Sequence, residues 1–220
     1  MKDKKRFLAI VILDFVTFLS MIIGITFSIF DVRFMANYPR LSSLPILMTF
    51  TGLSNVFIGL VCIACAIYRL VKKETKLNKI LFIIKLIALA DITITFVITA
   101  TYLSFSLGDS WWRLYINNNI FNHFLTPVLA IIAFILLEEY VDTDWRYCFY
   151  SFVPIILYSI FYLINIYTHL TPEGKTDLAY DIYGFCRFGP FVLILFLLGF
   201  LATSFGLTSL YRLINKQKRS

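Results

Sequence analysis

Six apolar runs dominate this chain, and only short polar segments join them. They extend from Phe7 to Phe30, Pro45 to Leu70, Leu81 to Leu107, Ile120 to Leu137, Cys148 to Tyr167 and Phe188 to Leu213. A helix needs about 20 apolar residues to cross the hydrocarbon core of a bilayer. Lipid offers no partner to an exposed N–H or C=O, so such runs cross as helices that satisfy their own backbones. The expected fold class is therefore all-α: a polytopic membrane protein whose residues 1–220 form one bundle of six transmembrane helices. With 60% hydrophobic and 15% charged residues and a mean hydropathy of +0.82, the chain cannot cover a water-facing surface.

The net charge of +7 raises the possibility of a nucleic-acid partner, but the placement of the basic residues excludes it. They gather in short segments between apolar runs, at the N-terminus, in the Arg69–Lys79 loop and in the Arg212-to-Arg219 tail. With an even number of spans these segments share one side, which the positive-inside rule makes cytoplasmic, with both termini there. The acidic stretch from Glu138 to Asp144 falls on the same side, and acidic residues weigh little in the rule. Trp111, Trp112, Tyr115, Tyr38 and Tyr183 flank spans on the opposite side, where aromatic anchors are expected. The basic start before Phe7 resembles a signal peptide, but the apolar stretch is too long and no small-residue cleavage site closes it, so it reads as a retained helix. Cys62 and Cys65 read as small packing residues in an apolar helix, and neither a disulfide nor a metal framework is expected.

Polar groups inside the spans carry the functional information. His123, one of two histidines, lies near the start of the fourth span. Its role divides evenly between packing and function, with Asn117, Asn118 and Asn119 as possible helix caps before it. Pro127 cannot donate to the carbonyl of residue 123, so the helix is expected to loosen there. On the second span Thr51, Ser54 and Asn55 share one face, and Gly52 permits close approach. Thr51 lies roughly 9 Å inside its span and His123 roughly 5–6 Å inside its own, counting 1.5 Å per residue from the same face. A hydroxyl and an imidazole at similar depth suit a base-activated nucleophile. Asp14 and Lys85 lie roughly 10 and 7 Å from the other face, depths that predict an ion pair. Asp91, near the middle of the third span, is expected to pack against or hydrogen-bond Asn55, or to orient His123. His169 reads as a loop residue, and Asp181 to Phe185 as lining the outer mouth of the bundle.

Phe50-Thr51-Gly52-Leu53-Ser54-Asn55, Asn122-His123 with Thr126-Pro127, and more weakly Tyr183-Gly184-Phe185 carry a resemblance. The chain resembles the androgen-induced-gene family of six-helix membrane hydrolases and its bacterial relatives. Animal members hydrolyse fatty acid esters of hydroxy fatty acids with a threonine on the second span and a histidine on the fourth. The resemblance implies Thr51 as nucleophile, His123 as general base, a fatty-acyl ester lipid as substrate, no cofactor and a bacterial cell membrane as location. Thr49 also aligns with the family threonine. Thr51 is favoured because it shares a face with Ser54 and Asn55, which are candidate oxyanion donors. Two other readings stand beside this one. In a proton-coupled transporter Asp14, Lys85, Asp91 and His123 would form the ion path. In a non-catalytic lipid-binding protein none of them would perform chemistry.

Overall fold

The computed structural model describes residues 2–30, 45–106, 108–117, 119–177 and 180–219. Tyr38 and Asn118 lie outside the described residues. Helix α1 spans Lys2–Ile29 and α2 spans Phe50–Lys72. Helix α3 begins at Lys79–Ile98 and continues through a π turn at Thr99–Leu103 into a last turn at Ser104–Ser106. A 3-10 segment, Gly108–Tyr115, leads to α4, Phe121–Leu137. Helix α5, Phe152–Tyr167, follows a 3-10 lead-in at Trp145–Ser151, and α6 spans Gly189–Lys216. Apart from one isolated bridge, Leu170 to Thr176, the regular structure of the described residues is helical.

Local chemistry sets the boundaries. Thr49 caps α2 by accepting from Gly52 N at 2.9 Å, and Asn78 caps α3 by accepting from Leu81 N at 2.9 Å. Lys73, at φ 56, ends α2 in a left-handed residue. Five helices are long and apolar enough to cross a membrane: Lys4–Ile29, Phe50–Lys72, Lys79–Leu103, Trp145–Tyr167 and Gly189–Arg219. The chain is an all-α, multi-pass membrane protein. The fourth predicted span, Phe121–Leu137, is a shorter apolar helix. At 1.5 Å per residue it rises roughly 25 Å, less than the ~30 Å hydrocarbon core.

Helix α3 occupies the centre, and every residue from Leu86 to Thr95 is buried. Such a helix is enclosed on all sides rather than amphipathic. It packs against α2, α4 and α6, while α1 packs along α2 and α4. Helices α5 and α6 lie outside and leave Leu157, Ile164, Leu195 and Leu198 exposed, as a lipid-facing surface requires. Close approach depends on small residues. A side chain at Gly24 would strike Asn122 of α4.

Four charged side chains from four elements meet within the bundle, all with completely buried side chains. Lys85 Nζ lies 2.8 Å from Asp14 Oδ1 and 2.8 Å from Glu138 Oε2. Arg69 pairs with Asp14 Oδ2 through one terminal nitrogen and with Glu138 Oε1 through the other. Two cations and two anions thus alternate in a closed ring, and every carboxylate oxygen has a partner. The expected Asp14–Lys85 pair is one side of this ring. Arg69 and Glu138 depart from the sequence reading, which placed them in flanking loops. Arg69 is three residues from the end of α2, and its long side chain turns inward while its Nε donates to Thr75 O at 2.9 Å. Glu138 follows a π turn, Ala133–Leu137, and its backbone leaves the helix at ψ 134.

Cations also close the end of α4. Arg6 donates to the carbonyls of Leu137 (3.1 Å) and Glu138 (3.2 Å). Lys218 donates to those of Phe134 (2.9 Å) and Glu138 (3.0 Å). These carbonyls lie at the C-terminal end of α4, where positive charge is favourable. Asn215 clamps the extended strand beyond, accepting from Val141 N and donating to Glu139 O. Both ends of the chain therefore converge on the same end of the bundle.

Replacing Lys85 with Met leaves a buried carboxylate uncompensated. The expected loss is about 3–5 kcal/mol, read as a lowered unfolding midpoint in detergent or nanodiscs. Adding Asp14→Asn to Lys85→Met leaves the Arg69–Glu138 pair neutral and should recover part of that loss in a double-mutant cycle.

Candidate functional site

The N-terminal turn of α2 sets two threonines apart. Thr49 Oγ1 accepts from Gly52 N and donates to Ile46 O at 2.7 Å, so its hydroxyl is committed to the cap. Thr51, the second residue of the helix, is partly exposed. Its carbonyl accepts from Asn55 Nδ2 at 2.8 Å and from Ser54 Oγ at 3.1 Å. The Tyr183 hydroxyl neighbours its side chain and accepts from Phe50 N at 2.8 Å.

Asn55 joins α2 to α4. The nitrogen that donates to Thr51 O also donates to Asn122 O at 3.0 Å. The Thr51 turn and the residue preceding His123 therefore share one donor. Asn122 in turn donates to Gly24 O (3.3 Å) and Ser28 Oγ (2.8 Å) on α1. Thr126 and Ser20 hydroxyls bond at 2.8 Å one turn further along. These bonds fix the start of α4 against α1 and α2.

His123 lies in a π turn, Phe121–Leu125, in which Thr126 N reaches back to Phe121 O. The wide turn absorbs the donor missing at Pro127, and such turns frequently mark functional positions. His123 Nδ1 lies 3.2 Å from Leu114 O in the 3-10 segment above it. A carbonyl oxygen only accepts, so Nδ1 carries the proton and Nε2 presents the lone pair. Asn119 donates to Arg113 O at 3.1 Å rather than capping α4, contrary to the expectation for the asparagine run.

Ser54, Asn55 and Asp91 are placed differently from their expected roles, whereas His169 is the exposed loop residue the sequence predicts. Ser54 Oγ is shared between Thr51 O and Thr95 Oγ1 (2.8 Å), and both amide hydrogens of Asn55 have acceptors. Neither side chain has a donor left for an oxyanion without breaking a helix contact. Asp91 and Asn55 form no hydrogen bond: Asp91 Oδ1 and Asn55 Oδ1 are both buried without a partner. His169 stacks on Tyr180 with ring centroids 3.9 Å apart and bonds Asn165 O at 2.7 Å through Nδ1.

Tyr183 is the residue whose importance the sequence understated. Its hydroxyl accepts from Phe50 N at 2.8 Å, at the start of α2. Its ring packs among Tyr158, Tyr162 and Phe185, at centroid distances of 6.4, 5.9 and 5.4 Å. The only sequence signal was an aromatic segment before the last span. One surface cleft of about 390 Å³ is lined by Phe57, Ile83, Ile87, Tyr147 and neighbours, and another of about 410 Å³ by Ser104, Phe105, Trp111 and Tyr115. Neither is lined by Thr51 or His123. The second adjoins the 3-10 segment whose Leu114 carbonyl holds His123.

No protein-family model, curated protein or solved structure matches the chain. Thr49→Ala removes a cap and no more, and is expected to cost about 1 kcal/mol of stability by thermal unfolding. Activity per folded molecule should persist in that variant.

Proposed function

We propose that this chain is an intramembrane hydrolase of fatty-acyl esters, with Thr51 as nucleophile and His123 as general base. The observation that carries the reading is the bond between His123 Nδ1 and the Leu114 carbonyl, which leaves Nε2 as a proton acceptor. A threonine hydroxyl is a weak nucleophile until such a base removes its proton. The Asn55 amide, shared between the Thr51 and Asn122 carbonyls, keeps the two helix starts together.

In this mechanism Thr51 Oγ1 attacks the ester carbonyl carbon as its proton passes to His123 Nε2. Collapse of the tetrahedral intermediate expels the alcohol, which takes the proton from His123. Water, activated by the same imidazole, then releases the fatty acid from Thr51. The basic termini support a topology with both ends cytoplasmic. Thr51 and His123 would then serve lipids of the other leaflet. The bacterial cell membrane as the location rests on the resemblance alone.

A fluorophosphonate probe should label the wild-type protein in membranes. Thr51→Ala should abolish labelling, and His123→Ala should reduce its rate by roughly 10²–10⁴-fold, the usual range for losing a general base. Equal labelling of all three proteins rules the mechanism out.

Asp91 supports a second reading, proton-coupled transport, because a buried carboxylate oxygen without a partner is costly unless it is used. Vesicle uptake driven by a proton gradient and lost in Asp91→Asn would favour transport. Absence of any flux would count against it.

A further inference from the structure

We propose that Tyr183 is the oxyanion donor of the site, a catalytic residue that acts beside Thr51; this rests on the ester-hydrolase reading. An oxyanion formed by attack of Thr51 stands two bonds from Oγ1, so its donor has to lie next to that oxygen. Ser54 and Asn55 are excluded, since their protons are held by Thr51 O, Thr95 Oγ1 and Asn122 O. Tyr158 is excluded as well, because its hydroxyl donates to Met48 O at 3.1 Å.

Tyr183 remains. Its oxygen accepts from Phe50 N, so its own proton is free to point elsewhere. The Tyr158 and Thr51 side chains neighbour that hydroxyl. Burial pushes the phenol above its ordinary value, so the proton stays on the oxygen throughout the neutral range. A hydroxyl proton that no backbone carbonyl holds is suited to stabilise the charge as it forms.

The loop that carries Tyr183 is held in place by its own buried carboxylate. Asp181 accepts from the Tyr162 hydroxyl through Oδ1 and from Cys186 N, at 3.2 Å, through Oδ2. Gly184, at φ 69, turns the chain directly after Tyr183 and donates to Asp181 O at 2.9 Å. A side chain at this position would be strained by the left-handed backbone.

During attack the Thr51 proton goes to His123 Nε2, and the carbonyl π pair moves onto the carbonyl oxygen. Tyr183 donates a hydrogen bond to that oxygen and transfers no proton. When the intermediate collapses the pair returns to the carbonyl, the alcohol leaves with the proton from His123, and the hydrogen bond from Tyr183 is released.

The test is steady-state hydrolysis of p-nitrophenyl octanoate by the full chain in nanodiscs. Tyr183→Phe should lower kcat by roughly 10²–10³-fold with KM little changed, as for loss of one oxyanion donor. Tyr158→Phe should retain most of kcat. Replacing Tyr183 with 3,5-difluorotyrosine preserves its shape and makes the phenol more acidic. The alkaline limb of the kcat profile should then move to lower pH. Wild-type kcat in Tyr183→Phe together with an unmoved alkaline limb in the fluorinated protein, while Thr51→Ala is inactive, overturns the role of Tyr183 and leaves the hydrolase reading standing. Undiminished hydrolysis by Thr51→Ala overturns the hydrolase reading itself.

Discussion

The closed ring of Asp14, Arg69, Lys85 and Glu138 is the constraint on which the rest of the bundle depends. A single charge inside an apolar bundle is costly, and two opposite charges repay that cost only when their geometry is good and their remaining atoms are bonded. Here each carboxylate oxygen meets a different cation nitrogen, so no half of the ring is satisfied without the other. The ring fixes the rotation of α1, α2 and α3 and the point at which α4 must stop. Pinning these elements at one end determines which residues face one another at the other end. There the uncharged contacts among Asn55, Asn122, Gly24 and Ser20 take over.

The two ends follow different physical rules. At the ring, strong charges balance completely and leave nothing available for chemistry. At the start of α2 and α4, neutral groups share donors sparingly. One Asn55 nitrogen serves two carbonyls, and the Tyr183 hydroxyl has several neighbours and one proton. The proposed proton transfers would fall at this neutral end, while the charged end holds the helices in place. The π turn at Phe121–Leu125 belongs with the neutral end, since it leaves the backbone around His123 wider than an α-helix.

Much of the fold was legible because lipid makes length and hydropathy decisive. The runs alone predict six spans; five are long enough to cross, and the fourth is a shorter apolar helix. Depth counting also brought Asp14 to Lys85, because both lie well inside apolar runs. Arg69 and Glu138 were read as loop residues because each stands at the end of a run, where sequence cannot distinguish a flank from a side chain folded inward. Thr49 and Thr51 were separable in principle: a threonine immediately before an apolar helix is a cap signal, and the structure uses Thr49 in that way. Tyr183 was not legible as a neighbour of Thr51. The two are far apart in sequence, and no periodicity links a loop residue to a helix start.

The order of the ring charges along the chain has a bearing on how the protein is made. As helices leave the ribosome, the accumulated charge of the ring residues is negative after α1, neutral once Arg69 emerges, positive with Lys85 and neutral again at Glu138. Each helical hairpin, α1 with α2 and α3 with α4, is thus electrically complete within itself. A nascent chain can enter the bilayer as two neutral hairpins, and the ring then closes by exchanging partners between them. Reordering the same four charges, with both anions in the first hairpin, would leave the final contacts possible but strand a doubly charged intermediate in lipid.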